Sequence, residues 1–290
     1  MQYSSMKIWG FLRKGVQLLV SFMLILVLLF EVYTLIVFHT EGNLPLPPMF
    51  GNFERVRALL VDDDQREEFS FAVVGDTRRG QETFEQISGK LKDEPLSFMV
   101  LLGDCVRKGT AGYHRFLRAE WADDEELALS IPMFYVVGNH DVDGEKFPIS
   151  QFEKMYGPTN FSFDYQGCLF IVLRILDKPY STKESLAFLE SLLSARRHDF
   201  DKVFIFMHIP PPVSSDFSAR SFENAEKLVA LFDRFHVNYV MAGDYHGYAR
   251  VKVRKTVYIV TGGGGGSFKR EEIREISPRH CNQGKTKFDI

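Results

Sequence analysis

The sequence predicts an α/β protein with buried, mixed β-sheets behind a single N-terminal transmembrane helix. Three observations support this: a long apolar run near the N-terminus, apolar strands that alternate with helical segments after Phe69, and polar side chains directly after five of those strands. The composition, 45% hydrophobic and 25% charged residues, is that of a globular chain. A length of 290 residues allows one large domain or two small ones.

Charge and cysteine content argue against several classes of protein. The formal net charge is −3 and the pI about 6.3, so the chain lacks the basic character expected of a nucleic-acid-binding domain. The 3 cysteines are too few and too scattered for a disulfide framework or a zinc ribbon.

The first element is a predicted transmembrane helix, 16–38, which at about 23 residues can cross a bilayer with some tilt. Only Gln17 and Glu31 within it are strongly polar. Basic residues precede the run and none follows until Arg55, so the positive-inside rule predicts a single-pass signal anchor. Residues 1–15 would then be cytoplasmic, and the rest of the chain would lie outside the cytoplasm, on the periplasmic or extracellular side.

Two other interpretations of this run stay open. A cleaved signal peptide needs a shorter apolar core and a small-residue cleavage site, whereas here His, Thr and Glu follow Phe38. A buried helix of the domain would show a polar face at helical period, which this run lacks.

Residues 39–68 are predicted to be a linker, because three prolines in the stretch NLPLPPM favour an extended chain. The main domain is predicted over 69–267, and a polar tail of mixed charge over 268–290.

Within the domain, the apolar patterns predict nine strands and four helices. The predicted strands are 69–75, 96–103, 131–138, 160–166, 168–176, 202–208, 237–243, 248–254 and 256–262. The predicted helices are 80–94, 113–129, 185–197 and 221–235. Continuous apolar strands that alternate with helices are typical of sheets buried on both faces. The last three strands follow one another closely, which indicates mixed sheets.

Five of these strands end in side chains that can bind a metal. These residues are Asp76, Asp104, Asn139 with His140, His208, and Asp244 with His246. Each alone has an ordinary explanation as a helix cap, a turn or a surface residue. Because ligands of α/β sheets bind outside the carboxyl ends of strands, five such ends together favour one shared site for a divalent metal.

The ordered motifs GDTRRG, GDCVRKG, GNHD, MHIPPP and GDYH resemble those of the calcineurin-like metallophosphoesterases. The glycine run 262–266 also resembles the loop after the last motif of that family. The resemblance covers roughly 69–267 and implies a four-layer α/β sandwich in which two mixed sheets are flanked by helices. It also implies a phosphoester hydrolase with two divalent ions, of Mn, Fe or Zn.

Carried over by position, the resemblance assigns a role to each of these residues. Asp104 would bridge both ions, Asp76 and His246 would hold the first, and Asn139, His208 and Asp244 would hold the second. His140 would be the catalytic residue, stabilising the phosphoryl oxygens or protonating the leaving group. Asp141 is expected to orient the loop or the imidazole.

Two positions depart from the family pattern. Arg78 stands where the first motif offers a histidine, and Asp244 replaces the first histidine of the last motif. Because a guanidinium stays protonated, Arg78 cannot be a ligand. Either Arg78 and Arg79 bind a substrate phosphate, or they belong to a solvated loop.

The leading hypothesis is a membrane-anchored, metal-dependent phosphohydrolase that acts outside the cytoplasm on a phosphorylated small molecule or a lipid-linked phosphate. The second is a catalytically degenerate relative that binds a phosphorylated ligand or a membrane partner, for which Arg78 and Asp244 are the evidence.

Overall fold

The structure of the protein is a computed structural model, which describes residues 2–41, 45–60, 68–78, 80–123, 130–213 and 220–265. The predicted tail, 268–290, lies outside the described residues, as do Arg79 and Gly266.

Helix α1, Gln2–Glu41, contains the predicted transmembrane segment. Its stretch Leu12–Ile36 is long and apolar enough to cross a membrane, by length and composition. None of that stretch is buried against the rest of the described chain, so it is not a core helix of the domain. An exposed apolar helix near the N-terminus is compatible with an anchor or with a signal sequence, and its orientation stays a prediction.

All nine predicted strands are present in the described part of the chain. They are β1 (Ser70–Val74), β2 (Leu96–Leu101), β3 (Met133–Tyr135), β4 (Phe161–Tyr165), β5 (Cys168–Val172), β6 (Lys202–Met207), β7 (Tyr239–Ala242), β8 (Tyr248–Val253) and β9 (Thr256–Thr261).

The strands form two sheets, as predicted. The smaller sheet has the order β1-β2-β3 and its described pairs are parallel. The larger has the order β4-β5-β6-β7-β9-β8 and is mixed, with antiparallel hairpins at both ends and parallel pairs between them. Strand β9 lies between β7 and β8, so the last three strands are not a simple meander.

Helices cover the sheets, and two of them were not predicted. The helices after α1 are α2 (Glu54–Arg57), α3 (Gln81–Leu91), α4 (Ala111–Asp123), α5 (Ile149–Tyr156), α6 (Lys183–Arg196) and α7 (Ala225–Arg234). Short helices α2 and α5 escaped the sequence patterns, because one or two turns show too little periodicity. Helix α5 is held by Phe152 and Tyr156, both fully buried one turn apart.

The two sheets pack against each other through a layer rich in phenylalanine. Phe98 of the smaller sheet meets Phe170 of the larger edge to face, with ring centroids 5.1 Å apart. Phe170 also stacks on Phe204 at 4.9 Å. Such ring pairs favour edge-to-face and offset geometries, which fixes how one sheet sits on the other. Strands β1, β2 and β3 are parallel to one another, as are β6 and β7, so the carboxyl ends of each set lie at one edge of their sheet. The contact of His208 after β6 with Asp104 after β2 brings these two edges together.

Candidate metal centre

Three aspartates at this edge share a strained backbone conformation. Asp76, Asp104 and Asp244 follow β1, β2 and β7, each directly after a glycine, with φ of 60°, 56° and 61°. The left-handed region is uncommon for residues with a side chain and costs roughly 1 kcal/mol or more per residue. Such strain is concentrated at functional sites, so the shared conformation supports a common role for these carboxylates.

Two glycines that surround the carboxylates are required by close packing. A Cβ atom on Gly138 would lie 2.3 Å from the backbone nitrogen of Asp104 and 2.4 Å from its Oδ1. A Cβ atom on Gly262 would lie 2.7 Å from Asp76 Oδ2. The carboxylates therefore occupy space that only glycine leaves open.

His208, directly after β6, is fully buried and its orientation is fixed. Its Nδ1 donates to the carbonyl of Leu102 at 2.7 Å, which leaves Nε2 directed at the site. Nε2 lies 3.0 Å from Asn139 Oδ1, 3.3 Å from Asp104 Oδ1 and 3.8 Å from Asp244 Oδ1. An imidazole held by a backbone carbonyl on one nitrogen is the usual arrangement of a metal-binding histidine.

Electrostatics at His208 require a positive charge at this point. Burial opposes protonation, but the carboxylates of Asp104, Asp76 and Asp244 outweigh it and raise the pKa of His208 to about 9. A proton or a metal ion on Nε2 therefore relieves the repulsion among the oxygen atoms around it.

The donor set fits a divalent cation. Donor atoms of Asp76, Asp104 and His208 all lie within 4.8 Å of one another, and the three residues are buried. Asp76 Oδ1 and Asp244 Oδ2 are buried without a hydrogen bond among the described residues, and Asp104 Oδ2, which also lacks one there, has the Arg78 guanidinium 3.0 Å away. Buried carboxylate oxygens without donors are costly unless a cation is present, so Asp76 Oδ1 and Asp244 Oδ2 are compatible with a bound cation.

Asp141 holds the loops of the site together, as the sequence suggested. Its buried carboxylate accepts four backbone N–H bonds, from Gly138 at 2.7 Å, Asp104 at 2.8 Å, Cys105 at 2.9 Å and Val106 at 3.2 Å. It thereby ties the turn after β3 to the turn after β2, and Asp141 acts on the loops rather than on an imidazole.

A buried histidine that the sequence analysis did not single out supports Asp141. His114 of α4 donates from Nε2 to the Asp141 carbonyl at 2.7 Å, so its Nδ1 accepts from the Tyr156 hydroxyl at 3.0 Å. Its ring stacks on Phe147 with centroids 3.9 Å apart. Burial lowers the pKa of His114 to about 4, so the imidazole is neutral at pH 7. Its position inside a helical pattern gave no sequence signal for this role.

His140 lies beside Asp104, at the position the resemblance assigns to the catalytic residue. Its backbone N–H donates to Asp104 Oδ1 at 2.8 Å, and its Nδ1 donates to the Arg107 carbonyl at 3.1 Å. Nε2 is then the nitrogen left for a substrate. Burial lowers the pKa of His140, although Asp104 acts in the opposite sense, so the free protein holds this imidazole mainly neutral.

Arg78 enters the site, and it is not part of a solvated loop. Its Nη1 lies 3.0 Å from Asp104 Oδ2, and its side chain is only 13% exposed. Its Nη2 lies 3.4 Å from His246 Nε2, which in turn is 3.5 Å from Asp76 Oδ1. The structure thus brings Asp76, Asp104, Arg78 and His246 together, while Arg79 lies outside the described residues.

A second arginine, which sequence reasoning missed, reaches the other side of the site. Arg220 Nε donates to Asp244 Oδ1 at 2.8 Å, and its Nη1 donates to Asp177 Oδ2 at 2.8 Å. Burial raises the pKa of Asp244, although His208 and Arg220 both act in the opposite sense. Arg220 precedes α7 in a segment without motif, so only tertiary structure could reveal the pair.

Comparison with known proteins places this geometry in a family. The family model of the calcineurin-like phosphoesterases matches residues 69–248. A curated relative, serine/threonine-protein phosphatase CPPED1 of Bos taurus, is 32% identical over 180 residues. That match covers 56% of this chain and 56% of the relative, so the chain spans about half the length of the relative.

Solved structures agree with this at the level of fold. Purple acid phosphatase PPD1 from yellow lupin (Lupinus luteus) seeds has a TM-score of 0.52 and 20% identity, covering 74% of this chain and 47% of that one. A dimetal phosphatase from Danio rerio has a TM-score of 0.52 and 14% identity, covering 67% and 87%. The chain belongs to the calcineurin-like phosphoesterase family, and the resemblance read from its motifs is confirmed.

Proposed function

We propose that this chain is a metal-dependent phosphoester hydrolase. The observation that carries the proposal is the buried cluster of Asp76, Asp104 and His208, whose donor atoms converge at strand ends in a family of phosphoesterases. Divalent ions in such sites polarise phosphoryl oxygens and lower the pKa of water.

The side chains have distinct parts in this proposal. Asp104, Asn139, His208 and Asp244 would hold an ion on the His208 side, where their donor atoms face one another. By the family pattern, Asp76 and His246 would hold a second ion, to which Asp104 would also contribute; Mn, Fe or Zn fits such oxygen and nitrogen donors.

His140 would act on the substrate through Nε2, because its Nδ1 is held by the Arg107 carbonyl. An anionic phosphate near the ring would favour the protonated imidazole, which can then donate a proton to the departing alkoxide.

The apolar helix at the N-terminus supports a membrane anchor with the catalytic domain outside the cytoplasm. Substrates compatible with that location are a phosphorylated small molecule or a lipid-linked phosphate. The name of the bovine relative adds phosphoserine and phosphothreonine in proteins as a third class to test.

The test is hydrolysis by the full chain in detergent with added Mn²⁺, across phosphomonoesters, phosphodiesters, pyrophosphates and a phosphopeptide. Asp104→Asn should reduce turnover at least about 100-fold, because even outer residues of metal sites cost about 10–100-fold when changed. Asp164→Asn is the matched control. It makes the same change at an exposed aspartate of β4 that pairs with Arg196. An Asp104→Asn protein with the activity of the control would refute the proposal.

The alternative, a degenerate binding protein, is favoured by one observation. Arginines contact two of the carboxylates that would hold metal, Arg78 at Asp104 and Arg220 at Asp244. Saturable binding of a phosphorylated ligand, without hydrolysis of any substrate in the panel and without metal, would establish this alternative in place of the enzyme.

A further inference from the structure

The Arg78 guanidinium lies among the residues that would hold the first of two ions. Its Nη1 is 3.0 Å from Asp104 Oδ2, and its Nη2 is 3.4 Å from His246 Nε2. Asp76 Oδ1 lies 3.5 Å from the same His246 nitrogen. The guanidinium thus contacts the carboxylate that would bridge the ions and the imidazole that would hold the first one.

The backbone fixes Arg78 in this position. Its N–H donates to the Asp104 carbonyl at 3.0 Å, so the loop is bonded to the neighbouring turn at Arg78 itself. The glycine-rich loop contacts the chain on either side of Arg78, since Gly264 donates to the Gly75 carbonyl at 2.9 Å. A Cβ atom on Gly80 would lie 2.1 Å from Gly265 Cα, so only a pair of glycines allows this contact.

A guanidinium cannot ligate a metal, because it carries no lone pair available to one. It can supply a fixed positive charge and five N–H donors, which suit carboxylates and phosphate oxygens. Arg78 therefore brings a cation to Asp104 and His246 but no coordinating atom.

We propose that Arg78 takes the place of the first metal ion, so that the site carries one divalent cation and one built-in guanidinium. The cation lies on the His208 side, with Asp104, Asn139 and Asp244. This inference rests on the proposed function and changes its two-ion expectation to one. Arg78 then serves the same substrate class by binding phosphate oxygens directly.

The charges of the site favour a single ion. Three carboxylates, of Asp76, Asp104 and Asp244, face two guanidiniums, of Arg78 and Arg220. These five groups together carry one net negative charge. One bound divalent cation would change this to one net positive charge, which suits an anionic phosphate. A second divalent cation would leave three positive charges together in a buried site, where charge repulsion is costly.

The experiment counts Mn²⁺ ions on the full chain in detergent, by elemental analysis after removal of free metal and by electron paramagnetic resonance. The wild type should hold one ion per chain, with the signal of isolated Mn²⁺. Arg78→His, which restores a ligand at the family position, should hold two ions and give the signal of a coupled pair. Arg78→Ala opens the space without adding a ligand, so it should hold the second ion at least about tenfold more weakly than Arg78→His.

Arg196→His is the matched control, because it makes the same change at an arginine that pairs with Asp164 on β4. It should hold one ion. Two ions in the wild type would overturn the inference and leave the proposed hydrolase intact. One ion in both Arg78 variants would overturn it as well, because the guanidinium would then not be what keeps a second ion out. No ion and no hydrolysis in any of these proteins would contradict the proposed function, and the inference would fall with it.

Discussion

The two halves of the candidate site solve the same electrostatic problem differently. Around His208, one imidazole nitrogen faces three oxygen atoms, from Asn139, Asp104 and Asp244, at 3.0 to 3.8 Å. Around Arg78, a guanidinium already contacts Asp104 and His246. The first half requires an external cation, whereas the second carries its own. If Arg78 replaces an ion as proposed, a single substitution in a metal-binding motif would exchange a coordinated ion for a covalently attached charge.

The largest effect is expected from removing the imidazole of the first half. His208→Ala should weaken Mn²⁺ binding roughly 1000-fold, since apparent binding free energies of about 10–16 kcal/mol in four-ligand zinc sites imply a few kcal/mol per ligand. Isothermal titration of the full chain in detergent measures this. The control is His198→Ala, at a histidine whose side chain is 77% exposed. This variant should bind Mn²⁺ as tightly as the wild type does.

Equal Mn²⁺ affinity in His208→Ala and His198→Ala would show that the ion does not bind at His208, and the comparison between the two halves would lose its basis.

The second prediction concerns the half that carries its own charge. Without metal, Arg78→Ala should lower the free energy of unfolding by up to about 3 kcal/mol, the lower end for breaking a buried ion pair, because Asp104 loses the guanidinium and keeps the His208 imidazole, 3.3 Å away, as its cationic neighbour. Thermal unfolding with a chelator present measures this loss. Added Mn²⁺ should restore much of it.

Arg196→Ala removes an exposed ion pair and should change stability by at most about 1 kcal/mol. If both variants lost equally little without metal, Arg78 would not act as the charge partner of Asp104.

The third prediction concerns His114, which supports the loops of the site through Asp141, and how its protonation changes the stability of the fold with pH. His114 has a pKa of about 4 in the folded protein against an ordinary 6.5. Between these values the unfolded chain binds a proton that the folded protein does not, so stability falls as the pH drops from 6.5 to 4. The loss is up to about 3 kcal/mol, complete below the folded pKa.

Asp141 works in the opposite sense, because burial raises its pKa and the folded state then binds protons more readily than the unfolded chain. Comparison with His114→Gln isolates the histidine: the wild type should lose more stability than the variant between pH 6.5 and 4.5. Parallel pH profiles would show that His114 is not held neutral.

The sequence predicted the strands well, and it also marked the polar side chains that directly follow them, because both depend on local signals. Nine apolar runs became nine strands, and Asp76, Asp104 and His208 met at their carboxyl ends. What escaped prediction depends on tertiary structure. Helix α5 is only 8 residues long and is held by burial. His114 and Arg220 acquire their roles from partners 24 residues or more away in sequence, so no motif marks them.

Strand pairing also escaped the sequence patterns. An apolar run does not indicate which other strand it will pair with. The order β7-β9-β8 and the parallel pairing within the smaller sheet therefore came only from the structure. The position of Arg78 is a further case. Its presence in the motif excluded a ligand, but only its contact with Asp104 distinguishes a charge inside the site from a solvated loop.

The smallest effect is expected at Arg220, which pairs with Asp244 on the His208 side of the site. Its side chain is 39% exposed, so solvent weakens the pair, and Arg220→Gln should cost about 1 kcal/mol or less in the metal-free protein. The same change should raise Mn²⁺ affinity a few-fold, roughly the same free energy, because Asp244 Oδ1 is no longer shared with a guanidinium. Arg234→Gln, which removes an exposed pair with Glu190, should leave Mn²⁺ affinity unchanged. Weaker Mn²⁺ binding in Arg220→Gln than in Arg234→Gln would mean that Arg220 positions Asp244 for the ion rather than competing with it.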